Sequence, residues 1–496
     1  MQGFMTTSRK KHAPRMAYVS QNQMTIAGFE TPFSKNLDKN NRWVRLADKI
    51  PWDELAGIYF RHFSVKATGR PPLNPRIVLG SIIIKHMCNL DDRETVAQIT
   101  ENMYMQYFLG YSGFSPEPPF DPSLFVEFRK RVGDEVIAKM NERIIAISEE
   151  KDQKKDDEDS SGDNEHKGTV IMDATACPQD IAYPTDLNLL SEAREISERL
   201  IDTIFNPMID TKKPRTYRKV ARKEYLQTAQ KKSPQLKTIR KAVGKQLRYL
   251  RRNLKSIDKM LDRRQVFPLD YKDQRYLMVI HTLFQQQMEM YEQRKHSIAD
   301  RIVSIHQPHV RPIVRGKLKA KVEFGSKIHV SLTNGFAYLD TISWDAFNES
   351  AAMMDYIEQY QQRFGYYPEK VLADQIYCTR DNRRKLKNLG IRLIAKPLGR
   401  PKAVADHVRP GQRNPIEGKF GQAKNAYGMN RIRARLRDTS QSWIASIIMV
   451  LNLVKLAGEV PLCLLSFSAW EKLICEIFEK ILRDSHVQPI LGYSEP

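Results

Sequence analysis

Three carboxylates stand where they could act together: Asp173, Asp374 and Glu417. Asp173 ends the run Thr169-Val-Ile-Met-Asp173, and Asp374 ends Lys370-Val-Leu-Ala-Asp374, the same grammar 201 residues later. Short apolar, β-branched runs of this kind read as buried strands. Glu417 stands in Asn414-Pro415-Ile416-Glu417, which reads as a helix start with Asn414 as N-cap, Pro415 at the first helical position and Glu417 at the third. Hard oxygen ligands converging from separate elements suit Mg²⁺, which typically takes one or two carboxylates per ion. Two such ions about 4 Å apart can activate an attacking oxygen and stabilise a leaving one in an in-line displacement at phosphorus. A second reading of Glu417 stays open, a capping box that only satisfies the helix start. Either aspartate alone could equally be a solvated turn residue or a helix cap.

The bulk composition narrows the substrate. The 496 residues carry 80 Lys and Arg against 58 Asp and Glu, a net charge of +22, and the pI is about 9.6. That balance belongs to a protein whose partner is a polyanion. The longest apolar stretch, Ile444 to Val454, falls short of the roughly 20 residues that span a bilayer, so no membrane role is expected. The N-terminus has charge but no apolar segment behind it and reads as no secretory signal. Five scattered cysteines with no Cys-x-x-Cys pair argue against a zinc module or a disulfide framework and for a reduced, cytoplasmic protein.

The elements that would position the acids follow in order. After an N-terminal arm (1–40), residues 41–150 read as helical, with one helix from Pro75 to Met87, a capping box at Asp91 and Glu94, and a start at Asp121-Pro122 leading to Arg129, Lys130 and Arg131. A small helical domain ending in a basic helix suits DNA docking, or alternatively packing with a solvated basic face. Residues 151–168 contain almost nothing to bury and read as a disordered linker. Two stretches, 169–195 and 316–456, read as one mixed α/β sheet domain, with a hairpin at Asn334-Gly335. Between them lies a helical insertion, 196–315, whose clusters Arg218-Lys219, Arg222-Lys223, Arg240-Lys241 and Arg251-Arg252 face the single acid Glu224 between Thr211 and Lys255. A run this one-sided repels itself unless a polyanion neutralises it, so these residues are expected to contact phosphates. Residues 457–496 read as a helical tail. Asp180, Asp186 and Asp381 are expected to be turn or supporting residues, His329 a structural histidine, and Cys177 and Cys378 no metal ligands.

These residues together resemble the DDE transposases of bacterial insertion sequences, across roughly residues 40–460. One group of them carries, on the helix of its Glu, the pattern Tyr, two residues, Arg, three residues, Glu, six residues, Lys. Arg413, Glu417 and Lys424 match that spacing, while Pro410 stands at the Tyr position and Tyr427 is the neighbouring tyrosine. The resemblance implies a ribonuclease H-like catalytic domain preceded by an all-α DNA-binding domain; the helical insertion after the first strand, read from the residue pattern, departs from these enzymes, in which an insertion is more often β-rich and follows a later strand. It implies that Asp173, Asp374 and Glu417 bind two Mg²⁺ (or Mn²⁺) ions, and that Arg413 and Lys424 hold phosphates. Water would nick DNA at the terminal inverted repeats, and the freed 3′-hydroxyl would attack target DNA. The implied form is a homodimer on paired ends, in the bacterial cytoplasm with the nucleoid. A nuclease of the same fold without strand transfer, or an inactive DNA-binding repressor, would fit the same residues.

Overall fold

The computed structural model describes residues 31–62, 73–156, 166–314, 322–395 and 411–458, with backbone alone at 34 and 148–156. Apolar residues spaced by three and four make the first part wholly helical. Its helices are α1 (Pro32–Asn36), α2 (Arg42–Lys49), α3 (Trp52–Arg61), α4 (Pro75–Met87), α5 (Asp92–Glu101), α6 (Met103–Phe108), α7 (Leu124–Arg131) and α8 (Asp134–Asp156). The cap at Asp91 forms, its carboxylate accepting from the Glu94 amide at 2.8 Å; Asp121 accepts from the Ser123 amide at 2.9 Å in the turn before α7, whose N-cap residue is Ser123, without a side-chain cap. α8 continues into the segment read as a linker, because Lys151 to Asp156 offers helix formers and no Gly or Pro to stop it. Residues 157–165 of that segment, 1–30 of the arm and 459–496 of the tail lie outside the described residues.

The sheet is built around β1 (Thr169–Pro178), whose near-continuous apolar run is covered on both faces. It pairs antiparallel with β3 (Val322–Thr333) and parallel with β5 (Lys370–Leu372), which pairs parallel with β6 (Arg392–Ile394). On its far side β3 pairs with β4 (Phe336–Ser343) and, towards its start, with β2 (Arg311–Val314). The β3–β4 turn is the expected Asn334-Gly335, with φ of 52° and 76°, the left-handed pair that a tight hairpin of the right twist needs. β2 falls inside the stretch assigned to the insertion. It is four residues long with Pro312 in it, a pattern tolerated at a sheet edge and invisible to a search for alternation.

Four helices follow β1: α9 (Asp186–Ile204), α10 (Arg218–Ala229), α11 (Leu236–Leu261) and α12 (Tyr271–Gln293). Val243, Leu247, Leu250, Leu254 and Ile257 form one stripe of α11, and with Leu200 of α9 and Ile280 and Leu283 of α12 they make a core of their own. After β4 come α13 (Met353–Phe364), β5, a single 3₁₀ turn (Gln375–Tyr377), α14 (Arg380–Asn388), β6, α15 (Asn414–Asn425) and α16 (Arg437–Ala457).

The helices before residue 150 do not bury a core separate from the sheet. Ile83, Ile99, Phe108 and Phe125 belong to the same cluster as Ile328, Val330, Phe420, Ile444 and Val450. α16 is the spine of that cluster. By length and composition it could cross a membrane, but 83% of its apolar window is buried inside the fold.

Candidate functional site

The parallel pairing of β1 with β5 sets Thr169 beside Lys370, Val170 beside Val371 and Ile171 beside Leu372. Two residues further along both chains stand Asp173 and Asp374. Asp374 caps the 3₁₀ turn, its carboxylate accepting from the Gln375 amide at 2.7 Å. Asp173 accepts from the Ala174 amide at 2.8 Å. Arg413 joins them: its Nη2 donates to Asp173 Oδ2 at 2.9 Å, and its Nη1 lies 3.2 Å from Asp374 Oδ1. Burial raises the Asp173 pKa above the ordinary carboxylate range. Arg413 opposes the rise, and the charges of Glu349 and Asp374 add to it.

Glu417 arrives on α15. This helix begins one residue earlier than its sequence suggests, with Arg413 as the N-cap residue, no side-chain cap and Pro415 at the second position. The capping box therefore does not form, and Glu417, at the fourth position, is exposed. It sits one turn from Arg413, and residues four apart on a helix share a face. Ile416, Phe420 and Ala423 are buried in the main core and fix the rotation of α15. Lys424, two turns beyond Glu417, is half-buried. Tyr427 is buried in the core, and Pro410 lies outside the described residues.

Asp173 stands in the middle of β1, which runs on to Pro178, rather than at a strand end, and Asp374 follows the end of β5; these two carboxylates, already bridged by a guanidinium, are a donor set suited to a hard divalent cation. Among the described residues, no three His, Cys, Asp or Glu side chains are gathered to hold a metal ion directly.

The other expectations sort by surroundings. Asp180 pairs with Arg431 at 3.0 Å, Asp186 with Arg301 at 2.6 Å, and Asp381 with Arg384 and Lys385 of its own helix. His329 is fully buried, 2.8 Å from Asp340, which also takes Arg363 at 2.8 Å. Cys177 and Cys378 are buried and form no disulfide.

Arg129 requires a correction. It is 5% exposed, with both Nη atoms on Asp92 at 2.8 and 2.9 Å, and is therefore buried out of reach of a phosphate. Its partner cation Lys85 is equally buried, 2.9 Å from Asp92, and both cations lie over the Trp443 ring. Lys130, paired with Glu127, and Arg131 are exposed. Arg218, Lys219, Arg222, Lys223, Arg240, Lys241, Arg251 and Arg252 all face solvent on α10 and α11. Arg252 and Arg215 each lie 4.5 Å from the Tyr217 ring, so aromatic surface is interleaved with the charge. Glu349, whose charge raises the Asp173 pKa, lies in the β4–α13 loop and carried no signal in the sequence.

Known families now bear on this geometry. Residues 31–131 match the family model described as a transposase domain (DUF772), and residues 371–454 match that of a transposase DDE domain, a span holding Asp374 and Glu417. The chain is 33% identical over 159 residues to an uncharacterized protein, ORF8 in the nfe locus of Rhizobium meliloti, covering 32% of this chain and 70% of that protein. No solved structure matches.

Proposed function

The chain belongs to the DDE-type insertion-sequence transposases, and we propose that it moves its element by cleavage at the element's ends and transfer of the freed ends into target DNA, with Asp173, Asp374 and Glu417 as its acids. The observation that carries this reading is the cation, the Arg413 guanidinium, held between the Asp173 and Asp374 carboxylates. The strand order supports a ribonuclease H-like sheet: β3 runs antiparallel to both of its neighbours β4 and β1, and β5 and β6 then extend β1 in parallel. We divide the chain into a helical DNA-binding part that runs to the end of α8, a catalytic sheet of β1 to β6 with α13 to α16, and a basic insertion of α9 to α12.

Two Mg²⁺ or Mn²⁺ ions held by the three acids would polarise the scissile phosphodiester and lower the pKa of the attacking water. Asp173 is fixed by the central strand, Asp374 by its cap of the following turn, and Glu417 by the packed first turns of α15. Arg413 stands close enough to both aspartates to hold a phosphate against them, and Lys424 extends that grip along α15. The exposed cations of α10 and α11, with Lys130 and Arg131, take the DNA flanking the cleaved bond. Two ends brought together ask for two copies of the chain, and terminal inverted repeats are the DNA each would read. A bacterial cytoplasmic protein at the nucleoid fits this reading.

The test is Mg²⁺-dependent cleavage and joining of DNA carrying the element's own ends, with Asp374→Asn as the comparison. Activity is expected to fall roughly a thousandfold or more in the variant, with DNA binding retained. Cleavage that survives the substitution would remove Asp374 from the site. Cleavage without joining in the intact chain would make it a nuclease, and binding without cleavage a repressor.

A further inference from the structure

Tyr217 stands where the backbone does not favour it. It is the N-cap residue of α10, with φ 56° and ψ 25°, the left-handed region that a bulky side chain rarely enters. The chain is fastened on both sides of it. Lys213 and Arg218 both pair with Asp202 of α9, at 2.7 and 2.9 Å, and Thr216 is buried. A bulky residue held in a strained backbone by its surroundings points to a use for its position.

What the position provides is one ring shared by two cations. The Arg215 and Arg252 guanidiniums each lie over the Tyr217 ring, 4.5 Å from its centre, and Arg252 also lies 5.7 Å from the centre of Tyr249. The two charges are therefore no more than twice 4.5 Å apart, within the ~10 Å over which charges still act on each other at 0.1 M salt. Both arginines are exposed, and among the described residues neither pairs with an acid. Asp202 is taken by Lys213 and Arg218, and Glu224 by Lys245 and Tyr249. A ring against the flat face of a guanidinium leaves the N–H groups, which lie in its plane, for an acceptor. Two guanidiniums held this close repel each other until an anion joins them.

We propose that Arg215 and Arg252, held by the Tyr217 ring, form a clamp for a backbone phosphate of DNA, with Tyr217 as its positioning residue. This deepens the reading of the basic insertion as a DNA-contacting face and rests on it. The ring restricts the guanidiniums before DNA arrives, so less side-chain freedom is lost on binding. The clamp thus depends on an uncharged side chain, which a merely basic surface does not.

Binding of a DNA duplex to the full chain, followed by fluorescence anisotropy over a salt series, tests it in Tyr217→Phe, Tyr217→Asn, Arg215→Gln and Arg252→Gln. Asn enters the left-handed region readily, so Tyr217→Asn keeps the turn and the net charge while removing the ring. It is expected to weaken binding roughly tenfold, while Tyr217→Phe binds like the parent. Parent-like binding in Tyr217→Asn, or equal losses in Tyr217→Asn and Tyr217→Phe, overturns the clamp. The two arginine substitutions should overlap, the double variant losing less than the single losses combined, because either one opens the clamp. Independent losses overturn it, and this comparison decides if Tyr217→Asn does not fold. Joint replacement of Arg222, Lys241 and Arg251 with Ala separates the clamp from the face that carries it. A reduced salt slope there with parent-like Tyr217→Asn overturns the clamp alone. An unchanged slope there with parent-like binding in all four variants overturns the DNA-contacting face as well.

Discussion

The end of α7 and the outer face of α11 look alike in sequence, each a helix dense in arginine and lysine, yet the fold uses them in opposite ways. On α7 the guanidinium of Arg129 is turned inward, clasped by Asp92 and laid over Trp443 beside the buried Lys85. On α11 the stripe from Val243 to Ile257 claims the inside, and Arg240, Lys241, Arg251 and Arg252 are left in solvent. The difference comes from what lies opposite. α7 meets an acid on α5 and an aromatic ring on α16, whereas Glu224, beside α11, is already shared by Lys245 and Tyr249. A cation with a buried partner is part of the fold, and a cation without one is available to a polyanion.

Arg129→Ala gives the largest break in this contrast. It leaves Asp92 short of one partner in a mostly buried cluster, and a loss of about 3 kcal/mol is expected by chemical denaturation, with the salt dependence of DNA binding unchanged. An Arg129→Ala protein of full stability and weakened DNA binding would reverse the assignment.

A smaller effect lies in acid. Burial pushes the Asp92 carboxyl up, but the Arg129 hydrogen bond and the charges of Lys85 and Arg129 outweigh it and hold the group down at about 2. A depressed carboxylate stabilises the fold above its unfolded pKa of about 3.9, and that contribution disappears as the pH falls through the folded value. About 2 kcal/mol should therefore be lost between about pH 4 and pH 2, and Asp92→Asn should flatten that part of the stability profile. A profile equally steep in the variant would place the titration elsewhere.

The smallest change in stability, and the largest in binding, is expected on the insertion. Replacing Arg222, Lys241 and Arg251 together with Ala should leave the denaturation midpoint within about 0.5 kcal/mol of the parent. The slope of log binding constant against log salt should fall by roughly 0.9 for each phosphate contact removed. An unchanged slope would mean that this face is merely solvated.

Much of the site was legible before the fold was known. The runs ending at Asp173 and Asp374 read as strands because alternate β-branched residues have few other uses, and the Asn334-Gly335 hairpin was readable from turn chemistry alone. The helix carrying Glu417 was readable too, though not its register: Arg413 proved to be the cap residue, and a one-residue shift is beyond what Asn-Pro at a helix start can specify. β2 was hidden because four residues with a proline have no periodicity to find. Arg129 was misread because a side chain's partner 37 residues away leaves no local trace.

The sequence by itself determined the chemistry on offer: acids that close short apolar runs, a basic excess, and helices whose apolar stripes say which face turns inward. These are local properties, set by side-chain type and by the 2.0 and 3.6 periods of strand and helix. Only the tertiary structure decided which charges meet. The placement of Asp173 beside Asp374, the clasp of Arg413 across them and the withdrawal of Arg129 all depend on strand pairing and helix packing. Electrostatic interaction falls with distance and depends on burial, and neither quantity exists until the chain is folded.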